Sequence, residues 1–129
     1  MKRIIFLTLA LTLVAGITLA PAAEKQEKPK TVEGTLVDAK CYLAGGFKGN
    51  DHMGLAKCGT ACAKSGLPLG VLSAEGKYFT LAVPAPQVAE LVGETVRATG
   101  AIKQNTLTPE KLEVKKGAGW EEVKIAAMM

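Results

Sequence analysis

Leu69–Lys103 reads L-G-V-L-S-A-E-G-K-Y-F-T-L-A-V-P-A-P-Q-V-A-E-L-V-G-E-T-V-R-A-T-G-A-I-K. Leu69–Ser73 and Lys77–Val83 have the apolar, β-branched and aromatic content of strands. Ala74-Glu75-Gly76 between them is a hairpin turn, with Gly76 free to take a positive φ. Pro84-Ala85-Pro86 stops the second strand. Ala85–Val92 then predicts a short helix, with Pro86 in its first turn, Gly93 after its last, and Val88, Leu91 and Val92 as its apolar stripe. Glu94–Lys103 returns to strand character, with Gly100 as a bulge or barrel corner.

Downstream, Gln104-Asn105 turns the chain, and Leu112–Lys115 and Glu122–Ile125 are the remaining strand candidates. Met128 and Met129 fall in a frayed end. Upstream, Thr31–Asp38 alternates loosely and is rich in Thr and Val, which predicts a first strand with a bend or bulge at Gly34. The order is strand, insert, strand, strand, helix, strand, strand. It suits a mainly β fold, a small OB-like five-stranded barrel. One short Cys-bearing helix lies in the first inter-strand connection, and a second short helix lies between strands three and four. The domain spans residues 31–129 and the insert residues 39–68.

The first residues read as a secretory signal. Lys2 and Arg3 precede the uncharged run Ile4–Ala20, and the small-residue stretch Ala20-Pro21-Ala22-Ala23 follows. Cleavage is expected after Ala22 or Ala23, so residues 1–22 are the signal and export to the periplasm or medium is expected. Residues 23–30 are charged and nearly free of apolar side chains, and read as a disordered leader. The chain carries 16 basic and 12 acidic side chains. Loss of Lys2 and Arg3 leaves 14 against 12, a net of +2. That near balance, and the scatter of Tyr42, Phe47, Tyr78, Phe79 and Trp120, argue against a nucleic-acid surface. Membrane contact is expected only through an uncleaved signal.

The insert holds all three cysteines, Cys41, Cys58 and Cys62, and the only histidine, His52, within 22 consecutive residues. Ala44–Asn50 reads as a loop, and no G-K-[S/T] follows its glycines, so it is not a phosphate loop. Asn50 or Asp51 is placed to cap a short helix. At about 100° per residue from Leu55, Cys58 falls at about 300° and Cys62 at about 340°, which predicts an inner face of Leu55, Cys58 and Cys62. Gly66 and Pro68 end that helix.

Two readings of the cysteines follow. On a regular helix the Cβ atoms of Cys58 and Cys62 are about 6 Å apart, whereas a disulfide needs about 3.8 Å. The same spacing suits two thiolates on one ion at about 2.3 Å each. Cys41, at the end of the first strand, and His52, at the helix entrance, complete a Cys3His set, which suits Zn(II) and, through its thiolates, Cu(I). The other reading follows from export, which favours oxidation. Cys41 then bridges Cys58 or Cys62, contributing about 3 kcal/mol, and leaves one thiol over in a binding module without metal or catalysis. Thiol redox exchange is a weaker third course. The expected partner is a metal ion on the first reading and an envelope protein on the second.

Other chemistry is thin. Ala63 stands where a C-x-x-C-H haem motif needs histidine. One histidine without an identifiable partner is no triad, and no carboxylate pair is set up for acid–base work, so a binding role is favoured over an enzymatic one. Met53 is read as packed or exposed rather than as a thioether ligand. Asp38 has two readings, an outer acceptor for a metal ligand or an ordinary turn-forming residue at a strand end.

The succession G-x-[L/V]-x-D-x-x-C (Gly34–Cys41), His52, C-x-x-x-C (Cys58–Cys62), G-K-Y-F-x-L (Gly76–Leu81) and L-V-G-x-x-V-x-x-x-G (Leu91–Gly100) resembles a group of small exported bacterial proteins without established activity. The resemblance covers nearly all of residues 31–129. It implies export, a small β barrel and a Cys/His cluster, and it implies no reaction.

Overall fold

In the computed structural model, which describes residues 27–126, the chain is mainly β, a six-strand sheet, antiparallel but for one pairing, with three short helices among the described residues. The predicted signal and its cleavage site, residues 23–26 of the predicted leader, and Met128 and Met129 lie outside the described residues. Residues 27–29 have no regular structure, and Lys30 already belongs to the first strand.

Strand β1 (Lys30–Asp38) is the hub. Its first part, Lys30–Thr35, pairs with β4 (Thr95–Lys103), and its last part, Gly34–Asp38, pairs with β2 (Leu69–Ser73). The two ladders overlap at Gly34 and Thr35. A Cβ on Gly34 would fall 2.1 Å from the Leu72 carbonyl oxygen, so only glycine permits this crossing of backbones. No register shift accompanies it; Gly34 is a close approach rather than the expected bulge.

Strand β3 (Tyr78–Leu81) completes a hairpin with β2, and Gly76 takes φ 79° in its turn. The helix before β4 is there, as a 3-10 helix over Ala85–Leu91 with Val88 and Ala89 buried. Gln104 and Asn105, both at positive φ, link β4 to β5 (Thr106–Lys116), a two-residue turn whose twist matches the strands it joins. At Gly100 the β4–β5 register shifts, as expected of a bulge, and a Cβ there would lie 2.0 Å from the Thr108 carbonyl oxygen.

Three expectations change at the C-terminal end. Strand β5 is far longer than Leu112–Lys115, because the irregularity at Gly100 lets Pro109 sit in the strand without breaking it. The last strand, β6, is Gly119–Glu122 rather than Glu122–Ile125, because Gly117 at φ 57° turns the chain earlier. The sheet therefore has six strands where five were expected. In addition β3 pairs in parallel with β5, Thr80 with Thr106 and Leu81 with Leu107.

The core gathers Val32, Leu36, Leu69, Val71, Leu81, Val88, Val96, Leu107, Leu112 and Val114. Strand side chains alternate in direction, so Val37 and Leu72, also buried, point to the other face. The tyrosine ring of Tyr78 fills the space over Gly70. It stacks on Tyr42 with centroids 5.4 Å apart, which docks the start of the insert on the strands. Among the described residues no helix is long and apolar enough to cross a membrane.

Candidate metal centre

The insert leaves β1 at Asp38 and rejoins the sheet at Leu69, and its two ends are tied by the Ala39 N–H, which donates to the Pro68 carbonyl at 2.9 Å. Its first element is a helix the sequence reading missed, α1 (Ala39–Gly45). Asp38 is its N-cap, and its Oδ1 accepts the Cys41 N–H at 2.8 Å. Gly46 closes the helix in a left-handed conformation, donating to the Tyr42 carbonyl. Cys41 therefore sits in the first turn of a helix, not at a strand end. The spacing D-x-x-C is that of an N-cap and the third helical residue, and it was the available signal.

His52 follows in a tight turn. Its N–H donates to the Leu55 carbonyl at 3.1 Å and its carbonyl accepts from Leu55 at 2.8 Å, with Met53 and Gly54 at positive φ between them. The imidazole is buried, 2% exposed. Phe47 covers it with ring centroids 5.1 Å apart. Nε2 lies 2.6 Å from the Gly49 carbonyl oxygen. A carbonyl only accepts, so Nε2 carries the ring proton there and Nδ1 holds the lone pair in the neutral ring. Met53 is 83% exposed, in line with its reading as a non-ligand.

The second helix, α2, spans Cys58–Lys64. Lys57, at φ 53°, cuts it off from Leu55, which is exposed. The predicted inner face of Leu55, Cys58 and Cys62 is thus corrected. Gly59, Thr60 and Ala63 are the buried positions, with Gly59 close against Val92. Cys58 and Cys62, each half-buried, flank that face. The N-cap of α2 is Lys57, which makes no side-chain cap hydrogen bond, so neither Asn50 nor Asp51 is the cap that was expected; both hold the start of the helix from outside it. Asn50 Oδ1 accepts the Thr60 N–H at 2.8 Å and its Nδ2 donates to Thr60 Oγ1, while Asp51 Oδ1 accepts the Lys57 N–H at 2.7 Å.

These local choices bring the four predicted ligands together. Donor atoms of Cys41, His52 and Cys58 lie within 4.8 Å of one another. A second group, Asp38, Cys41 and Cys62, meets the same limit, and Cys41 belongs to both. Two sulfurs bound to one zinc at about 2.3 Å each are about 3.8 Å apart, so slight contraction suffices. All three cysteines are free thiols, and the expected Cys41 bridge to Cys58 or Cys62 is not formed. Burial pushes the Cys41 thiol up to about 12, helped by the neighbouring Asp38 carboxylate. Burial, followed by the charge of Asp38, also raises Cys62. Without a cation these thiols hold their protons. An ion that displaces them supplies the missing positive charge.

Asp38 is the residue that sequence reasoning undervalued. Fully buried, it places Oδ2 3.6 Å from His52 Nδ1. Comparison of the chain with protein-family models, with curated proteins and with solved structures returned no match. The site's chemistry therefore rests on its own donors.

Proposed function

We propose that this chain is a small exported protein that holds one transition metal ion, Zn or Cu, through Cys41, His52, Cys58 and Cys62. One observation carries the reading. The only histidine and all three cysteines of the chain come from α1, a tight turn and α2, yet cluster at one place. Nothing in β-sheet packing requires those residue types there. Soft sulfur donors with one imidazole are what Zn(II) and Cu(I) favour. The Gly49 carbonyl on Nε2 is the kind of outer contact that orients a metal-binding imidazole.

The scaffold is read as an OB-like barrel with an added sixth strand. Support comes from the sequence of pairings, β1 with β2, β2 with β3, β3 in parallel with β5, β5 with β4 and β4 with β1. The insert occupies the first connection, a common position for binding surfaces on such barrels. Export rests on the N-terminal pattern and on the likeness to small exported bacterial proteins. An envelope protein that delivers or receives the ion is the partner this role implies.

The test is metal analysis with thiol counting on protein purified anaerobically. About one equivalent of metal and three thiols released on unfolding are expected. Metal near zero after reconstitution refutes the reading. Export is tested separately by intact mass. The mature chain is expected to begin at Ala23 or Glu24, and a retained Met1 refutes cleavage.

A further inference from the structure

His52 and Asp38 face each other across a gap that no hydrogen bond spans. Nδ1 and Oδ2 are 3.6 Å apart, on side chains 1% and 0% exposed. Neither atom has a hydrogen-bond partner. The other polar atom of each side chain is already committed, Nε2 to the Gly49 carbonyl and Oδ1 to the Cys41 N–H. In the neutral ring, whose proton is on Nε2, two lone pairs meet in a buried place. That arrangement is costly unless a positive charge lies between them.

A metal ion fits that gap. Two light donors at about 2.0–2.1 Å from one tetrahedral zinc stand about 3.4 Å apart, close to the observed 3.6 Å. Cys41 shares one donor group with His52 and the other with Asp38. We propose that Asp38 binds the ion directly through Oδ2, together with Nδ1 of His52 and Sγ of Cys41, and that this oxygen makes the site one for Zn(II) rather than Cu(I). The inference rests on the metal-binding reading, exchanges one of its sulfurs for a carboxylate oxygen and adds a class of ion. A carboxylate oxygen is a hard donor that Cu(I) does not favour and Zn(II) accepts. Charge points the same way. Two thiolates and one carboxylate carry three negative charges, of which Zn(II) leaves one uncompensated and Cu(I) two. Cys58 or Cys62 supplies the fourth donor of the tetrahedron.

Asp38→Asn tests this. Asparagine keeps the shape and an oxygen for the Cys41 N–H, and removes the charge and the anionic oxygen. Zn(II) and Cu(I) are added separately to the reduced chain, each against a chromophoric chelator, and Co(II) serves as a spectroscopic stand-in. The variant is expected to lose at least about tenfold in Zn(II) affinity, to hold Cu(I) within about threefold, and to shift the Co(II) d–d bands. Equal loss for both ions, unchanged Zn(II) affinity or unchanged Co(II) bands overturns the role of Asp38 while leaving metal binding intact. A native chain that binds neither ion overturns the metal reading itself. Should the variant not fold, X-ray absorption at the zinc edge of the native protein decides. Two nitrogen or oxygen scatterers support Asp38, and one overturns it.

Discussion

Cys41 and Asp38 form a pair whose chemistry is set three residues apart. The carboxylate caps the helix on which the thiol rides, and its charge falls on that thiol. Because Cys41 belongs to both donor groups and Cys58 and Cys62 to one each, Cys41→Ser should cost the most metal affinity, about 100-fold or more. Competition titrations of the three Cys→Ser variants check the order. A second expectation concerns the reduced, metal-free protein. Burial lifts Cys41 from 9.0 to about 12, so the folded state holds that proton more tightly than the unfolded chain. Its stabilising contribution is complete below pH 9.0 and fades as pH rises toward 12. Urea midpoints should therefore fall between pH 9 and 11 more steeply in the native chain than in Cys41→Ala; parallel slopes would contradict this. At this scale the sequence was informative. Four donors within 22 residues marked the place. What it hid was Asp38, since an aspartate at a strand end is common in any turn.

At the scale of elements, two glycines fix how strands cross. Gly34 and Gly100 have carbonyl oxygens about 2 Å from where a Cβ would stand. Gly34→Ala and Gly100→Ala are each expected to destabilise by about 3 kcal/mol, since backbone on both sides leaves no flexible group to yield. Gly49→Ala, with nothing within 4 Å, should stay within about 0.5 kcal/mol. Denaturant unfolding of the three variants separates these outcomes. Gly100 was legible as a bulge, and the pair β2–β3 was legible from its turn. The helix α1 was not. Gly45, Gly46 and Gly49 dominate the composition after Cys41, and they masked a capped helix of about two turns. The register of α2 was misread for a related reason. A wheel drawn through Leu55 assumes one continuous helix, whereas Lys57 is left-handed and restarts the phase at Cys58.

On the scale of the molecule, the donors hang from two anchors. Tyr42 stacks on Tyr78, and α2 packs through Gly59 on Val92 beside the 3-10 helix. Metal binding is then linked to the stability of the whole domain. Free zinc at 100 times its dissociation constant adds about 2.7 kcal/mol. For a domain of about 100 residues that raises Tm by roughly 10–20 °C. Calorimetric scans with zinc, then with excess chelator, should show the rise and its reversal. A Tm indifferent to zinc would mean that the folded chain binds the ion no better than the unfolded one, contrary to expectation. The succession of elements from β1 to β4 and the connection that carries the insert were readable from the spacing of turns. The parallel contact of β3 with β5 was not, because residues such as Leu81 and Leu107 are joined by no local pattern.

The bond between the Ala39 N–H and the Pro68 carbonyl has a wider meaning. Everything from one end of the insert to the other leaves and returns through a single doorway between neighbouring strands. Such a stretch can be lifted out as a cassette. Grafted with Asp38 between two antiparallel strands of another protein, with a tyrosine supplied to stack on Tyr42 and a valine to seat Gly59, it would carry its whole complement of donors with it.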